Sequence, residues 1–250
     1  MALRLTARRV AVGMSLMLAP LVVSAQPSAG SGFMFGAPGG SVTLRAGFAR
    51  PTEGSDVFGF VQKELTLGRG DFAGGTMAAD VSWFLSQRVA LQLGGGFSSR
   101  TTPSVYRKWV DNNDREIEQS TTFLRVPLSV GARYYLAERG RSLGELAWVP
   151  AKFVTYVGAG AGITGYQFRQ TGDFVDYQTL DVFPSTMESS GWTPSLYGAF
   201  GVEYALSARL GITGEARYDY ARARMSSDFL GFDRIDVSGA AVTFGLTLRF

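Results

Sequence analysis

Beyond residue 26 no run is apolar and long enough to cross a membrane as a helix. Yet the chain alternates apolar with small or polar residues at a period of two, segment after segment. The last segment is the clearest, with Val242, Phe244, Leu246, Leu248 and Phe250 on one face and Thr243, Gly245, Thr247 and Arg249 on the other. In the same way Leu210, Ile212, Ala216, Tyr218 and Tyr220 oppose Thr213, Glu215, Arg217 and Asp219. Leu124, Val126, Leu128, Val130, Ala132 and Tyr134 oppose Arg125, Pro127, Ser129, Gly131 and Arg133, and Met77, Ala79, Val81, Trp83 and Leu85 oppose Thr76, Ala78, Asp80, Ser82 and Phe84. Weaker copies over 42–48, 89–97, 153–163 and 196–206 bring the expected strands to eight. A soluble sandwich made from them must bury Arg125, Glu215 and Arg217 or expose the aliphatic face, and both are costly. A closed barrel in lipid, apolar outside and polar within, avoids both.

The connections support this all-β, eight-stranded antiparallel up-and-down barrel. Long polar stretches follow strands one, three, five and seven, over 50–69, 102–120, 170–192 and 225–238, whereas 86–88 and 207–209 are short. Long extracellular loops and short periplasmic turns are the pattern of an outer-membrane barrel, and 137–152 is the one link that departs from it. Aromatics fall at both strand ends: Trp83, Tyr134, Phe153, Tyr204 and Phe250 on the periplasmic side, Phe48, Phe97, Tyr218 and Tyr220 on the outer side. The N-terminus reads as an export signal. Arg4, Arg8 and Arg9 precede an apolar run over 10–23, and Val23-Ser24-Ala25 offers a cleavage site before Gln26. The expected organisation is a cleaved signal peptide over 1–25, a Gly/Ser-rich periplasmic segment over 26–40 and the barrel over 41–250. The formal charge of +3 is then carried by the signal alone, because removing its three Arg leaves 21 basic and 21 acidic residues.

With these strands in place, the chain resembles the outer-membrane β-barrel domain family, the small barrels of the OmpA and OmpX groups. The residues that carry the resemblance are Phe244-Gly245-Leu246-Thr247-Leu248-Arg249-Phe250, Phe123-Leu124-Arg125-Val126-Pro127-Leu128 and the glycine-rich strand from Tyr156 to Gly162, and it covers about residues 40–250. The resemblance implies a Gram-negative outer-membrane location among lipid and lipopolysaccharide. It also implies delivery by periplasmic chaperones and a terminal signal, Phe244, Leu246, Leu248 and Phe250, read by the barrel assembly machinery. The sequence ends with its last strand, so neither the peptidoglycan-binding domain of many OmpA-like proteins nor wall tethering is expected.

The chain has no His and no Cys. That removes His-based triads, Cys nucleophiles, disulfides and Cys/His zinc sites, and with them the His-dependent chemistry of the barrel hydrolases. No enzyme, cofactor or metal is expected, nor is a nucleic-acid partner, since no basic aromatic stripe is present. The run from Gly160 to Gly165 has the G-x-G-x-x-G spacing but no helix after it, so the glycines read as room inside a narrow barrel. Arg69-Gly70-Asp71 reads as a turn before an adhesive tripeptide. In the third outer loop Asp173, Asp176, Asp181 and Trp192 form a candidate ligand-binding set, against the plainer reading of a solvated loop folded on its own aromatics. Inside, Arg45, Asp80, Arg125, Arg133, Glu203, Glu215, Arg217, Asp219 and Arg249 are expected to pair as a polar plug, because eight strands leave an interior just filled by side chains. The expected protein is a monomeric, non-enzymatic surface protein, structural or adhesive through its loops toward an unknown extracellular ligand. The alternative is a small porin-like passive channel gated by the lumen charges.

Overall fold

The computed structural model describes residues 32–250 apart from Asn112 and Glu145. The signal-peptide reading of 1–25, and residues 26–31 of the segment after it, lie outside the described residues. Eight strands build the barrel: β1 (Gly40–Pro51), β2 (Gly74–Phe84), β3 (Val89–Val110), β4 (Glu116–Tyr135), β5 (Phe153–Val175), β6 (Val182–Ala205), β7 (Leu210–Ala223) and β8 (Gly239–Arg249). Each pairs antiparallel with its sequence neighbours, and β8 returns to β1 with Val242 opposite Phe48 and Leu246 opposite Leu44. The sheet therefore closes without an edge, as lipid requires. Gly40 and Phe250 exchange backbone hydrogen bonds of 3.0 and 3.1 Å at the periplasmic end of this seam.

The two short turns share a Leu-Ser-x-Arg run and a common lock. In Leu85-Ser86-Gln87-Arg88 the Ser86 hydroxyl accepts the Val89 amide at 3.0 Å, and in Leu206-Ser207-Ala208-Arg209 the Ser207 hydroxyl accepts the Leu210 amide at 3.1 Å. The longer link carries a pair of short strands, Gly140–Leu143 and Ala147–Pro150, joined by Met34–Phe35 from the N-terminal segment into a small separate sheet. Trp148 is fully buried there against Gly140, where no Cβ fits beside the indole.

Two of the expected long loops are strand instead. β3 to β6 run for 22, 20, 23 and 24 residues, so most of 102–120 and 170–192 is extended hairpin, with tips only at 111–115 and 176–181. A tilted crossing needs about 9–11 residues. These strands therefore clear the bilayer and continue into water. Both tips are turned by an aspartate: Asp111 Oδ1 accepts the amides of Asn113 and Arg115, each at 2.8 Å, and Asp176 Oδ1 accepts that of Gln178 at 2.7 Å.

At the outer interface the wall exchanges its faces. Along β4 the outward positions are Tyr134, Val130 and Leu128 below, then Thr122, Ser120, Glu118 and Glu116 above, while the inward ones pass from Arg133, Ser129 and Arg125 to Phe123 and Ile117. β5 does the same, with Phe153, Val157 and Ile163 outward below and Arg169 and Asp173 above, and with Tyr166, Phe168 and Phe174 inward. Below the interface hydrocarbon surrounds the wall, so the apolar face points out. Above it water does, and the same wall encloses an apolar core as a soluble protein would.

Helix α1 (Asp56–Glu64) fills that core from the first loop, where the sequence pattern predicts an irregular polar stretch. Ser55 stands at the N-cap in extended conformation, Asp56 sits in the first turn and Lys63 in the last, in accord with the helix dipole. Val57, Phe58 and Val61 share the buried side, and Leu65 follows one turn later, so a short amphipathic face is legible once sought. Phe58 is 0% exposed and meets Phe72, Phe123 and Phe168 edge-on at centroid distances of 5.4, 5.4 and 5.6 Å. Phe229 closes the cluster from the fourth loop at 5.5 Å from Phe168. Phe58→Ala is expected to cost about 3–5 kcal/mol, all of it in this cap. Limited trypsinolysis of the refolded protein should then cut at Lys63 or Arg69, while the heat-modifiable gel migration of the membrane part stays unchanged.

Candidate functional site: a charged lumen beneath an apolar cap

Period two turns the charged positions of β1, β2, β4, β6, β7 and β8 inward, and the closed wall stacks them in layers. In the central layer Arg45 contacts Asp80 at 2.6 Å and Glu215 at 2.8 Å, and Arg133 contacts the same two carboxylates at 3.5 and 3.0 Å. Two cations and two carboxylates thus alternate in a ring that is neutral as a whole. Tyr156 donates to Glu215 at 2.8 Å and Gln92 to Asp80 at 2.7 Å, which engages further lone pairs of the buried acids. All four charged side chains are almost wholly buried.

Nearer the periplasm Arg249 bonds Glu203 at 3.1 Å, and Tyr135 donates to the same carboxylate at 3.0 Å. Arg139, from the link after β4, lies 3.5 Å over the Phe84 ring and donates to the Ser86 carbonyl at 2.9 Å, across the mouth of the lumen. Arg139 is absent from the lumen set expected from sequence, because nothing local marks which residue of an irregular link turns back over a mouth. Above the ring Arg217 pairs with Asp219 at 2.8 Å, bonds Ser129 at 3.0 Å and lies 3.8 Å over Tyr197. Gly160 is what admits that tyrosine: a Cβ there would lie 2.6 Å from its ring. The G-x-G-x-x-G run is thus mid-strand in β5, with Gly160 and Gly162 toward the lumen, while Ile163 faces outward and Gly165 lies against the lipid-facing Trp192.

Arg125 stands apart. It is 5% exposed and, unlike Arg45, Arg133, Arg217 and Arg249, has no carboxylate within ion-pair distance among the described residues. Asp219 and Asp236 supply the nearest opposing charge. It borders a cavity of about 50 Å³ lined also by Arg45, Asp80, Glu215, Arg217 and Asp219. That is space for one or two waters.

The third-loop set is not brought together. Asp176 caps the hairpin tip and Asp181 closes it, its carbonyl accepting the Asp176 amide at 2.9 Å, while Asp173 lies opposite Pro184. Trp192 is opposite Gly165, 60% exposed, at the upper edge of the lipid-facing belt with Tyr218 and Tyr220. Among the described residues no group of three acidic side chains is placed to hold a metal ion. In the Arg69-Gly70-Asp71 turn the Asp71 carboxylate accepts the Gly68 amide at 2.7 Å and Glu53 accepts the Gly70 amide at 3.1 Å, with Gly70 at φ +94°. Phe244, Leu246, Leu248 and Phe250 point outward along the seam strand.

Across the β5–β6 hairpin Arg169 forks onto Glu188 at 2.6 and 2.9 Å, and Gln167 donates to the same carboxylate at 2.6 Å. The Gln167 bond, then Arg169, hold the Glu188 carboxyl below its ordinary value of 4.5. Its stabilisation is therefore full above that value and lost as pH falls through the lower folded one. Hydrogen-exchange protection of the hairpin, corrected for intrinsic rate, should fall below pH 4.5 in the wild type but not in Glu188→Gln. As the pair is exposed, the effect is at most about 1 kcal/mol. Inside the barrel the scale is larger. Glu215→Gln leaves Arg45 and Arg133 sharing one carboxylate and should cost about 3–5 kcal/mol in urea titrations of vesicle-inserted protein. Asp219→Asn should cost a similar amount, because it removes the one carboxylate paired with Arg217 among the described residues and the nearest opposing charge of Arg125.

No protein-family model and no curated protein matches the chain. Among solved structures it aligns with Neisserial surface protein A at 15% identity and a TM-score of 0.47, over 86% of this chain and 99% of that one. The attachment invasion locus protein Ail of Yersinia pestis aligns at 12% identity and a TM-score of 0.38, over 84% and 99%. A major outer membrane protein of Thermus thermophilus aligns at 13% and 0.45, over 86% and 100%. The closed eight-strand ring, the outward apolar belt and the aromatics at both its edges make this chain a transmembrane β-barrel of the outer-membrane type.

Proposed function

We propose that the protein is a non-catalytic outer-membrane surface protein, structural or adhesive, acting through the part of the barrel that stands in water. The observation that carries this reading is that the lumen is filled twice over. Ion-paired layers occupy it at membrane depth, and an aromatic core around Phe58 occupies it above. What the chain offers to the outside is therefore the β3–β4 and β5–β6 hairpins with the first and fourth loops. Lipid and lipopolysaccharide surround the belt, the assembly machinery and periplasmic chaperones handle the terminal strand, and the working form is a monomer, since the ring closes within one chain.

A second reading, a passive channel, has one observation in its favour: among the described residues Arg125 has no ion-pair partner, beside the cavity of about 50 Å³. Single-channel recording of the refolded protein separates the two. The surface-protein reading expects no steady conductance, and ion flux that weakens in Arg217→Ala or Glu215→Ala would sink it. Replacing residues 173–184 by a two-residue turn should abolish binding to host cells or lipopolysaccharide while the barrel remains heat-modifiable. Full binding by that variant would remove the β5–β6 hairpin from the function.

A further inference from the structure

The outer hairpins enclose more than a filled core. Between α1, the upper β5–β6 hairpin and the turn at Ser227–Phe229 lies a pocket of about 210 Å³. Val57, Leu65, Val175, Met187, Phe229 and Phe232 supply much of its wall. Phe60, Tyr177 and Phe183, all more than a third exposed, form part of its lining next to water. By the scale on which a cavity of about 150 Å³ admits benzene, this one suits about eight carbons. It lies wholly in the part of the barrel above the lipid belt, so acyl chains of the bilayer do not line it.

The polar groups on its wall are few and specific. Gln119 and Gln170, both buried, give their side-chain amides to the Asp173 carbonyl and to Thr121 at 2.8 and 3.4 Å, which leaves their carbonyl oxygens as acceptors. Asp228 is the one ionisable carboxylate in the lining and there is no cation, while burial pushes the Tyr177 phenol up to about 12, so it stays neutral at ordinary pH. The Tyr106 and Tyr177 phenols in the same lining are hydrogen-bonded to each other. The remaining groups, the two glutamine carbonyls and the Asp228 carboxylate, favour a ligand that donates a hydrogen bond and disfavour one that carries an anion.

We propose that this pocket binds a small uncharged apolar molecule with a hydroxyl end, an aliphatic alcohol or a phenol, and not a fatty acid. The proposal rests on the surface-binding reading above, to which it adds a ligand class. It is tested apart from any host cell, so it can fail while hairpin-dependent cell binding persists. The probe is 1-octanol, titrated into the refolded full-length protein at pH 8 and followed by methyl NMR, with octanoate as the anionic control. Val57, Leu65 and Met187 report the pocket, whereas Leu128 and Leu246 face lipid and report partitioning into the surrounding amphiphile. The expected result is a saturable shift at the pocket methyls, at least tenfold weaker binding of octanoate, and loss of the Val57 and Leu65 shifts when Met187→Trp fills the space. If Met187→Trp does not fold, Val175→Phe fills the pocket from the opposite strand. Shifts confined to Leu128 and Leu246, equal binding of octanoate, or saturable binding that survives a folded filling variant would each overturn the proposal.

Discussion

A single wall, two side chains thick, must satisfy a different solvent on each side, and the outside solvent changes from hydrocarbon to water partway up. Everything distinctive about this barrel follows from that change. Below the outer interface Leu128, Val130 and Ile163 face lipid and Arg45, Arg133 and Glu215 face each other. Above it Arg169 and Glu188 face water and Phe123 and Phe168 face inward. An apolar inner face in water needs something apolar to pack against. Helix α1 and Phe229 supply it against Phe72, Phe123 and Phe168, so the cap follows from the length of the hairpins.

The polar lumen obeys a companion rule. A charge buried at membrane depth is heavily penalised unless it is paired and its remaining hydrogen-bonding groups are engaged. The alternating ring of Arg45, Asp80, Arg133 and Glu215 meets the pairing condition and takes further bonds from Tyr156 and Gln92, while the Nε atoms of both arginines have no hydrogen-bond partner; it draws its members from four strands, so it also holds the register of the wall. Glycines are the counterpart of these large side chains. Gly160 lies where Tyr197 must pass, and Gly201 where Tyr156 does. Charge pairing and small-for-large packing together are how the side chains fill the narrow interior that eight strands leave.

The membrane part is largely legible in the sequence, because its signal is local: lipid outside forces apolar residues onto alternate positions, and the lumen charges occupy the others. The eight segments, the seam residues Phe244 to Phe250 and the inward set from Arg45 to Arg249 follow from that period. The upper hairpins read as loops for a physical reason. At Phe123 and again at Tyr166 the apolar residues move to the other parity, so a pattern that continues as strand looks as though it has stopped. Brevity hides helix α1, which has nine residues with three buried. Trp192 groups with Asp173, Asp176 and Asp181 by proximity in sequence, but a strand that rises steadily carries it far from the tip and sets it at the interface.

Which residues alternate, the lack of His and Cys chemistry and the need of the strands for lipid on one side are all written in the amino-acid order. These are properties of neighbouring residues and of composition, and need no knowledge of partners distant in the chain. Which charges meet is a matter of tertiary structure, since Arg133 and Glu215 are 82 positions apart and touch solely because the ring closes. The same closure leaves Arg125 without an ion pair among the described residues, draws Arg139 over the mouth and lets a helix from the first loop cap the barrel. Contacts across a lumen depend on closure and register, and no single strand encodes either.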